Sequence, residues 1–177
     1  MISTDRLLLR ALTANDFAAL REIGGDSEVL RYRARSQITE EMTREFLQKA
    51  HDAAQVEPRD FFAFAVVLRS EEKLIGECGL TVVDSATREA FVWYSFNRHF
   101  WNQGYATEAL HAMLQVAVSQ FGLRRIFAET HPENLASERV MQKVGMVFEG
   151  VYEAPDRDGQ IRPRLRYAIR EIPRPGQ

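Results

Sequence analysis

The chain has 177 residues, of which 45% are hydrophobic and 27% charged, and a formal net charge of −2 at pH 7. These values set disordered and fibrous architectures aside and leave one globular domain over 1–177, with its core over about 6–170 and a short C-terminal tail. A basic run that would follow a phosphate backbone, a stretch of about 18 apolar residues that would span a membrane, and a secretion signal are all missing, so neither nucleic acid nor a membrane is expected as partner. The single cysteine, Cys78, cannot close an internal disulfide and points to a cytoplasmic location. Its apolar flanks supply no cation to activate it, so it reads as a small buried hydrophobe.

In chain order, Arg6–Leu12 predicts a short strand, and Thr13 or Asn15 can cap a helix over 16–23 that Gly24 and Gly25 end. The next stretch, 26–37, carries Arg31, Arg33 and Arg35 beside Tyr32. Arginines in alternation suit either a solvated face or the lining of a carboxylate or phosphate pocket. Thr39 caps a second helix with Met42, Phe46, Leu47 and Ala50 on its apolar side. Phe61–Leu68 is a nearly continuous apolar strand, the pattern of a central strand covered on both faces. Leu74–Leu80 follows as a strand in which Gly76 and Gly79 mark a bulge or a close backbone approach. Ala90–Phe96 is a further buried strand, and its Phe91, Trp93 and Tyr94 are either core residues or walls of an acceptor pocket.

The stretch Trp101-Asn102-Gln103-Gly104-Tyr105-Ala106-Thr107-Glu108-Ala109-Leu110 reads as a loop that becomes a helix, with Leu110, Met113, Leu114, Ala117 and Phe121 on one face and Gly122 as its stop. The first N–H groups of a helix have no internal partner and sit at the positive end of its dipole. With Gly104 allowing close approach, this is a site for a diphosphate. It has neither the lysine of a nucleotide-hydrolase loop nor the three glycines of a dinucleotide turn. A strand at Arg124–Thr130 follows, then a helix over 135–144 capped by Asn134 and stopped by Gly145. Beyond Phe148–Glu153, Asp156-Arg157-Asp158-Gly159 is a hairpin turn, Leu165–Ile169 closes the sheet, and Pro173, Pro175 and Gly176 mark a loose tail. This order of elements gives an α/β (α+β) fold: a single mixed, mostly antiparallel sheet flanked by helices.

Two motifs carry a resemblance. The ten residues from Trp101 to Leu110, and the run from Asn134 through Ser137 to Gly145-Met146, resemble the GNAT superfamily of acyl-CoA-dependent N-acyltransferases, in its RimJ/RimL-like branch of ribosomal-protein alanine N-acetyltransferases. Gly104-Tyr105-Ala106 fits the second half of the family's pyrophosphate loop, Trp101 stands where Gln or Arg is usual, and Met146 replaces the usual Phe. The resemblance implies a strand over 124–130 parallel to the one ending at Phe96, the two splaying apart around the pantetheine arm. It implies acetyl-CoA as co-substrate, no metal, an amine acceptor, and compatibility with a homodimer. The acceptor classes left open are a protein N-terminus, an amino-acid-like metabolite, a polyamine and a drug amine. Cofactor contacts carried over from the family are Ser95 and Phe96 at the strand end, Trp101, Asn102, Gln103, Gly104, Tyr105, Ala106 and Thr107 in the loop, and Asn134 and Ser137 on the later helix.

Attack of an amine on a thioester needs a neutral nitrogen, a donor for the developing oxyanion and a proton for the thiolate. Where many family members place a tyrosine, four residues after Ser137, this chain has Met141; family members without that tyrosine can carry a serine at the Ser137 position, so the resemblance implies Ser137 as candidate acid, its other reading being a helix-start serine capping backbone. The glutamate common in the strand before the loop is also missing, leaving Glu129 and Glu77 as candidate bases and His131 as a third, or else as members of surface ion pairs. Positioning alone can suffice for a thioester, which is already activated. Two rival readings keep the loop without the reaction: a non-catalytic acyl-CoA-binding sensor, and a phosphate-binding domain unrelated to CoA.

Overall fold

Alternation along the strands sorts apolar side chains onto two faces of one eight-stranded sheet, and helices cover both. The computed structural model describes residues 1–33, 37–155 and 159–170. Its elements run β1 (Ile2–Ser3), β2 (Leu7–Ala11), α1 (Phe17–Gly25), α2 (Ser27–Leu30), α3 (Glu40–Ala53), β3 (Phe61–Leu68), β4 (Lys73–Asp84), β5 (Glu89–Phe96), α4 (Tyr105–Ser119), β6 (Arg125–Thr130), α5 (Leu135–Lys143), β7 (Val147–Pro155) and β8 (Ile161–Ile169). The sheet order is β1-β2-β3-β4-β5-β6-β8-β7. Every neighbouring pair is antiparallel except β5 and β6, which are parallel. This is the mixed, mostly antiparallel sheet expected from the sequence.

The larger core joins α4 and α5 to the sheet through residues such as Leu9, Ile75, Leu110, Met113, Ile126 and Met141. The second core lies on the other face under α1 and α3, around Leu20, Ile23, Phe61, Ala63 and Ala65. β3 supplies both cores, which is why its sequence shows no alternation of polar and apolar residues. Trp93 belongs to the second core: its ring stacks on Phe61 at 6.0 Å and meets Phe46 at 5.7 Å. Gly79 is required by this packing, because a Cβ there would strike the Phe62 carbonyl and the Trp93 ring. The expected bulge lies nearby, where the β3–β4 register shifts between Val66 and Val67. Cys78 is fully buried, and burial, with Glu77 beside it, pushes its thiol up, away from the reactive thiolate.

Several boundaries differ from expectation. α1 continues through Gly24 and Gly25 instead of ending before them, and Ile38 packs where a Gly24 side chain would stand. The short β1 and α2 carry too few residues for a periodic signal. Thr13 caps a 3-10 turn over Ala14–Asp16 and not α1 itself, which Asp16 caps, and the Thr13 N–H donates to Asp16 Oδ2 at 2.8 Å; Thr39 caps α3 as expected, accepting from the Met42 N–H. Arg35, the turn residues Asp156 to Asp158 and the prolines of the tail lie outside the described residues.

Candidate active site

β5 and β6 pair only at Glu89 with Arg125, Ala90 with Ile126 and Phe91 with Phe127. Beyond these three pairs the strands part: β5 continues to Phe96 against β4, and β6 continues to Thr130 against β8. A parallel strand that loses its neighbour leaves half its backbone groups without ladder partners. The Asn97 N–H donates to the Ile75 carbonyl of β4. Alternation therefore turns the groups of Ser95 and Trp93 to β4 as well, and those of Tyr94 and Phe96 into the opening. One of these, the Phe96 carbonyl, accepts the Trp101 indole N–H at 2.8 Å. That bond ties the loop to the end of β5 and gives Trp101 a structural reason to stand there.

The loop itself turns sharply. Asn102 (φ 60) and Gly104 (φ 82) are both left-handed, and Gly104 is the N-cap of α4. The Glu108 N–H, bonded to the Gly104 carbonyl at 3.0 Å, is the first donor used within the helix. The N–H groups of Tyr105, Ala106 and Thr107 precede it and are the free donors of a helix start. A clasp from the far end of the chain holds this turn. Glu108 Oε1 accepts from Thr4 Oγ1 (2.6 Å) and the Arg6 N–H (3.0 Å), and Oε2 from Arg6 Nε (2.7 Å). Arg6 Nη1 then donates to the Gln103 carbonyl at 3.0 Å, and its guanidinium lies 4.5 Å over the Tyr105 ring. Carbonyl and N–H point opposite ways across a trans peptide, so holding the Gln103 carbonyl turns the Gly104 N–H away from Arg6. Partial burial pushes the Glu108 carboxyl up, but the bonds from Thr4 and Arg6 outweigh it and leave it below the ordinary value. The clasp is accordingly complete above the usual carboxyl range and is lost as pH falls through the depressed value.

Across the opening, β5 meets α5 at one polar contact. The Tyr94 hydroxyl lies 2.7 Å from Ser137 Oγ and donates within reach of the Ser137 carbonyl at 3.2 Å. Burial pushes the Tyr94 phenol up to about 12, against the opposing pull of the Ser137 bond, so it is a proton donor at neutral pH. The Ser137 N–H is itself capped by Asn134 Oδ1 at 3.2 Å, so Asn134, not Ser137, does the capping, and the serine hydroxyl is left to Tyr94. Met141, one turn on, is fully buried in the larger core.

The candidate bases separate by environment. Glu129 Oε1 accepts from Arg166 Nε at 2.9 Å and Nη2 at 2.6 Å, the ion-pair reading of this residue. Glu77 stands on β4 directly across from Ser95, and among the described residues it pairs with Arg33, whose Nη2 lies 3.6 Å from Oε1. Burial pushes its carboxyl up, and Arg33 pulls it partly back. His131 stacks on Tyr32 with ring centroids 5.7 Å apart, joining the end of β6 to the turn after α2. Among the described residues no group of three or more His, Cys, Asp or Glu side chains could hold a metal. The Tyr94–Ser137 contact, the Arg6 clasp and the Arg33–Glu77 pair were not visible in the sequence, since each joins residues more than 40 positions apart.

The family profile described as Acetyltransferase (GNAT) domain matches residues 6–147. An uncharacterized N-acetyltransferase of Bacillus subtilis (strain 168), YnaD, is 36% identical over 153 residues, covering 86% of this chain and 85% of its own. Among solved structures, an acetyltransferase (GNAT family) from Bacillus anthracis is 32% identical with a TM-score of 0.82, covering 96% of this chain and 97% of its own. RimL, a ribosomal L7/L12 alpha-N-protein acetyltransferase solved with coenzyme A, shares the fold at a TM-score of 0.81 and 18% identity, over 94% of this chain and 95% of its own. With the sheet opening, the Gly104 helix start and these matches together, the chain belongs to the GNAT family of acetyltransferases.

Proposed function

We propose that the protein transfers an acetyl group from acetyl-CoA to a primary amine in the cytoplasm, with residues 1–177 acting as one domain. The observation that carries this reading is the parting of β5 from β6 after Phe91 and Phe127, next to a left-handed helix start held by Arg6. The pyrophosphate takes the N–H groups of Gly104, Tyr105 and Ala106, and the Arg6 hold on the Gln103 carbonyl keeps the first of them turned towards it. The pantetheine arm lies in the opening and uses the backbone groups of Tyr94 and Phe96 that β6 does not. One of those N–H groups meets the thioester oxygen, where a preorganised donor contributes about 3 kcal/mol to the transition state.

The acceptor arrives as an ammonium and gives one proton to Glu77. The neutral nitrogen then attacks the carbonyl carbon, the C–S bond breaks as the tetrahedral intermediate collapses, and the nitrogen's second proton balances the one taken up by the departing thiolate. Ser137 orients and stabilises that thiolate: its Oγ lies 2.7 Å from the Tyr94 hydroxyl, and when Tyr94 is the donor of that pair the serine's own proton is free to turn to the sulfur. Tyr94 acts through Ser137 and is a positioning residue. Glu77 is favoured over Glu129 as base because its carboxyl is buried and raised, whereas Glu129 is engaged twice by Arg166.

Three outcomes check this reading. Gly104→Val places a β-branched residue at φ 82 and should weaken acetyl-CoA binding about tenfold or more by calorimetry; an unchanged affinity would remove the loop from the site. Tyr94→Phe should lower kcat about tenfold with little change in the KM for acetyl-CoA, and an equal effect on both would reduce Tyr94 to packing. In the wild-type protein kcat/KM should rise with pH through the raised value of the Glu77 carboxyl, since only the ionised form accepts a proton. In Glu77→Gln that rise should disappear from the profile; its persistence would assign the base elsewhere.

A further inference from the structure

The acceptor side of the opening carries a charge pattern that the transfer reaction does not require. Glu77 lies in register with Ser95, one residue from Tyr94 and its contact with Ser137. Its side chain is 13% exposed, while that of Arg33, the cation facing it, is 34% exposed. Of the two charges, the anion is therefore the deeper and the cation the more exposed. Their closest approach, 3.6 Å between Nη2 and Oε1, is longer than the roughly 2.7–3.2 Å of a well-formed hydrogen bond. A buried carboxylate held so loosely is poorly compensated for its lost hydration. Arg33 follows Tyr32, whose ring stacks on His131 at the end of β6, so the turn after α2 bridges from β4 to β6 over the mouth of the opening.

An amine entering here must come between Arg33 and Glu77 or displace one from the other. A simple amine or a polyamine would set a second cation beside Arg33 with one carboxylate to share, and Arg33 would lose its partner. A ligand bearing an ammonium and a carboxylate on one carbon meets both charges with their opposites. We propose, resting on the acetyl-transfer reading above, that the acceptor is a free amino acid whose ammonium seats on Glu77 and whose carboxylate seats on Arg33. The arginine's planar fork suits a carboxylate, which it can take through two parallel hydrogen bonds. A protein N-terminus, whose α-carboxyl is an amide, lacks the second charge. The bond changes are those already given: the nitrogen gains the acetyl group and loses two protons, and the thiol of CoA departs.

The test is thiol release from acetyl-CoA with matched acceptors, a series of L-amino acids beside the amines that decarboxylation of each would leave, with spermidine and a short peptide as further arms. The proposal expects kcat/KM to be at least about tenfold higher for an amino acid than for its matched amine. Arg33→Gln should reduce that ratio about tenfold, chiefly through the amino acid's KM, and Arg33→Lys should restore part of it. Preference for the decarboxylated amines, the peptide or spermidine would overturn the zwitterion, as would a ratio that Arg33→Gln leaves unchanged. Binding of acetyl-CoA without transfer to any amino acid would overturn it too, while leaving the cofactor site standing. Failure to bind acetyl-CoA at all would instead sink the transfer reading on which it rests.

Discussion

The structure depends on an unfinished pairing: β5 and β6 share three residue pairs and then separate, although both strands continue. An open edge inside a sheet leaves backbone donors and acceptors facing each other with nothing between them, at a cost comparable to lost hydrogen bonds. The chain satisfies part of this itself, by turning the Trp101 indole onto the Phe96 carbonyl. At the closed end, where the pairing begins, Arg125 pairs with Glu89 of β5 and with Glu149 of β7. At the open end, the Tyr94 phenol reaches Ser137 of α5 instead of a strand. The remaining groups suit an extended amide-bearing ligand that can take the place of a missing strand.

The charges near the opening are arranged by the same economy. Arg6 is engaged by Glu108 and by a backbone carbonyl, so it fixes the peptide that precedes the helix start while remaining 46% exposed. Arg166 is spread over Glu129 and the rings of Phe127 and Tyr152, at 4.8 and 4.3 Å. Arg33, by contrast, has a loose hold on Glu77. A buried acid with so distant a cation is able to exchange its partner, which is what the proposed binding and deprotonation of an ammonium demands.

Much of the fold was legible in the residues, because it follows from local patterns. The double burial of β3, the capping of α3 by Thr39 and of α5 by Asn134, and the turn at Gly104 each depend on neighbours within a few positions. The splay itself could be reached only by resemblance, since nothing in Ala90–Phe96 or Arg125–Thr130 states where pairing ends. The site was half legible for the same reason. Ser137 could be reached through the resemblance and Glu77 by residue type, but Tyr94, whose hydroxyl meets that of Ser137, looked like core, and Trp93 beside it is core. Loss of the usual tyrosine at Met141 suggested a protein that binds without reacting. The family match and the N-acetyltransferase relatives stand against that alternative. Arg6, more than 90 positions from the loop it steadies, carries no local signal.

The most direct test of the account is calorimetric titration of the wild-type protein with acetyl-CoA, with CoA lacking the acyl group, and with ATP. One binding event per chain for both CoA species, and none for ATP, is the predicted result: a phosphate-bearing ligand should bind only when it also carries the arm that fills the opening between β5 and β6. Equal binding of ATP, or no binding of either CoA species, would contradict the assignment of that opening to the cofactor.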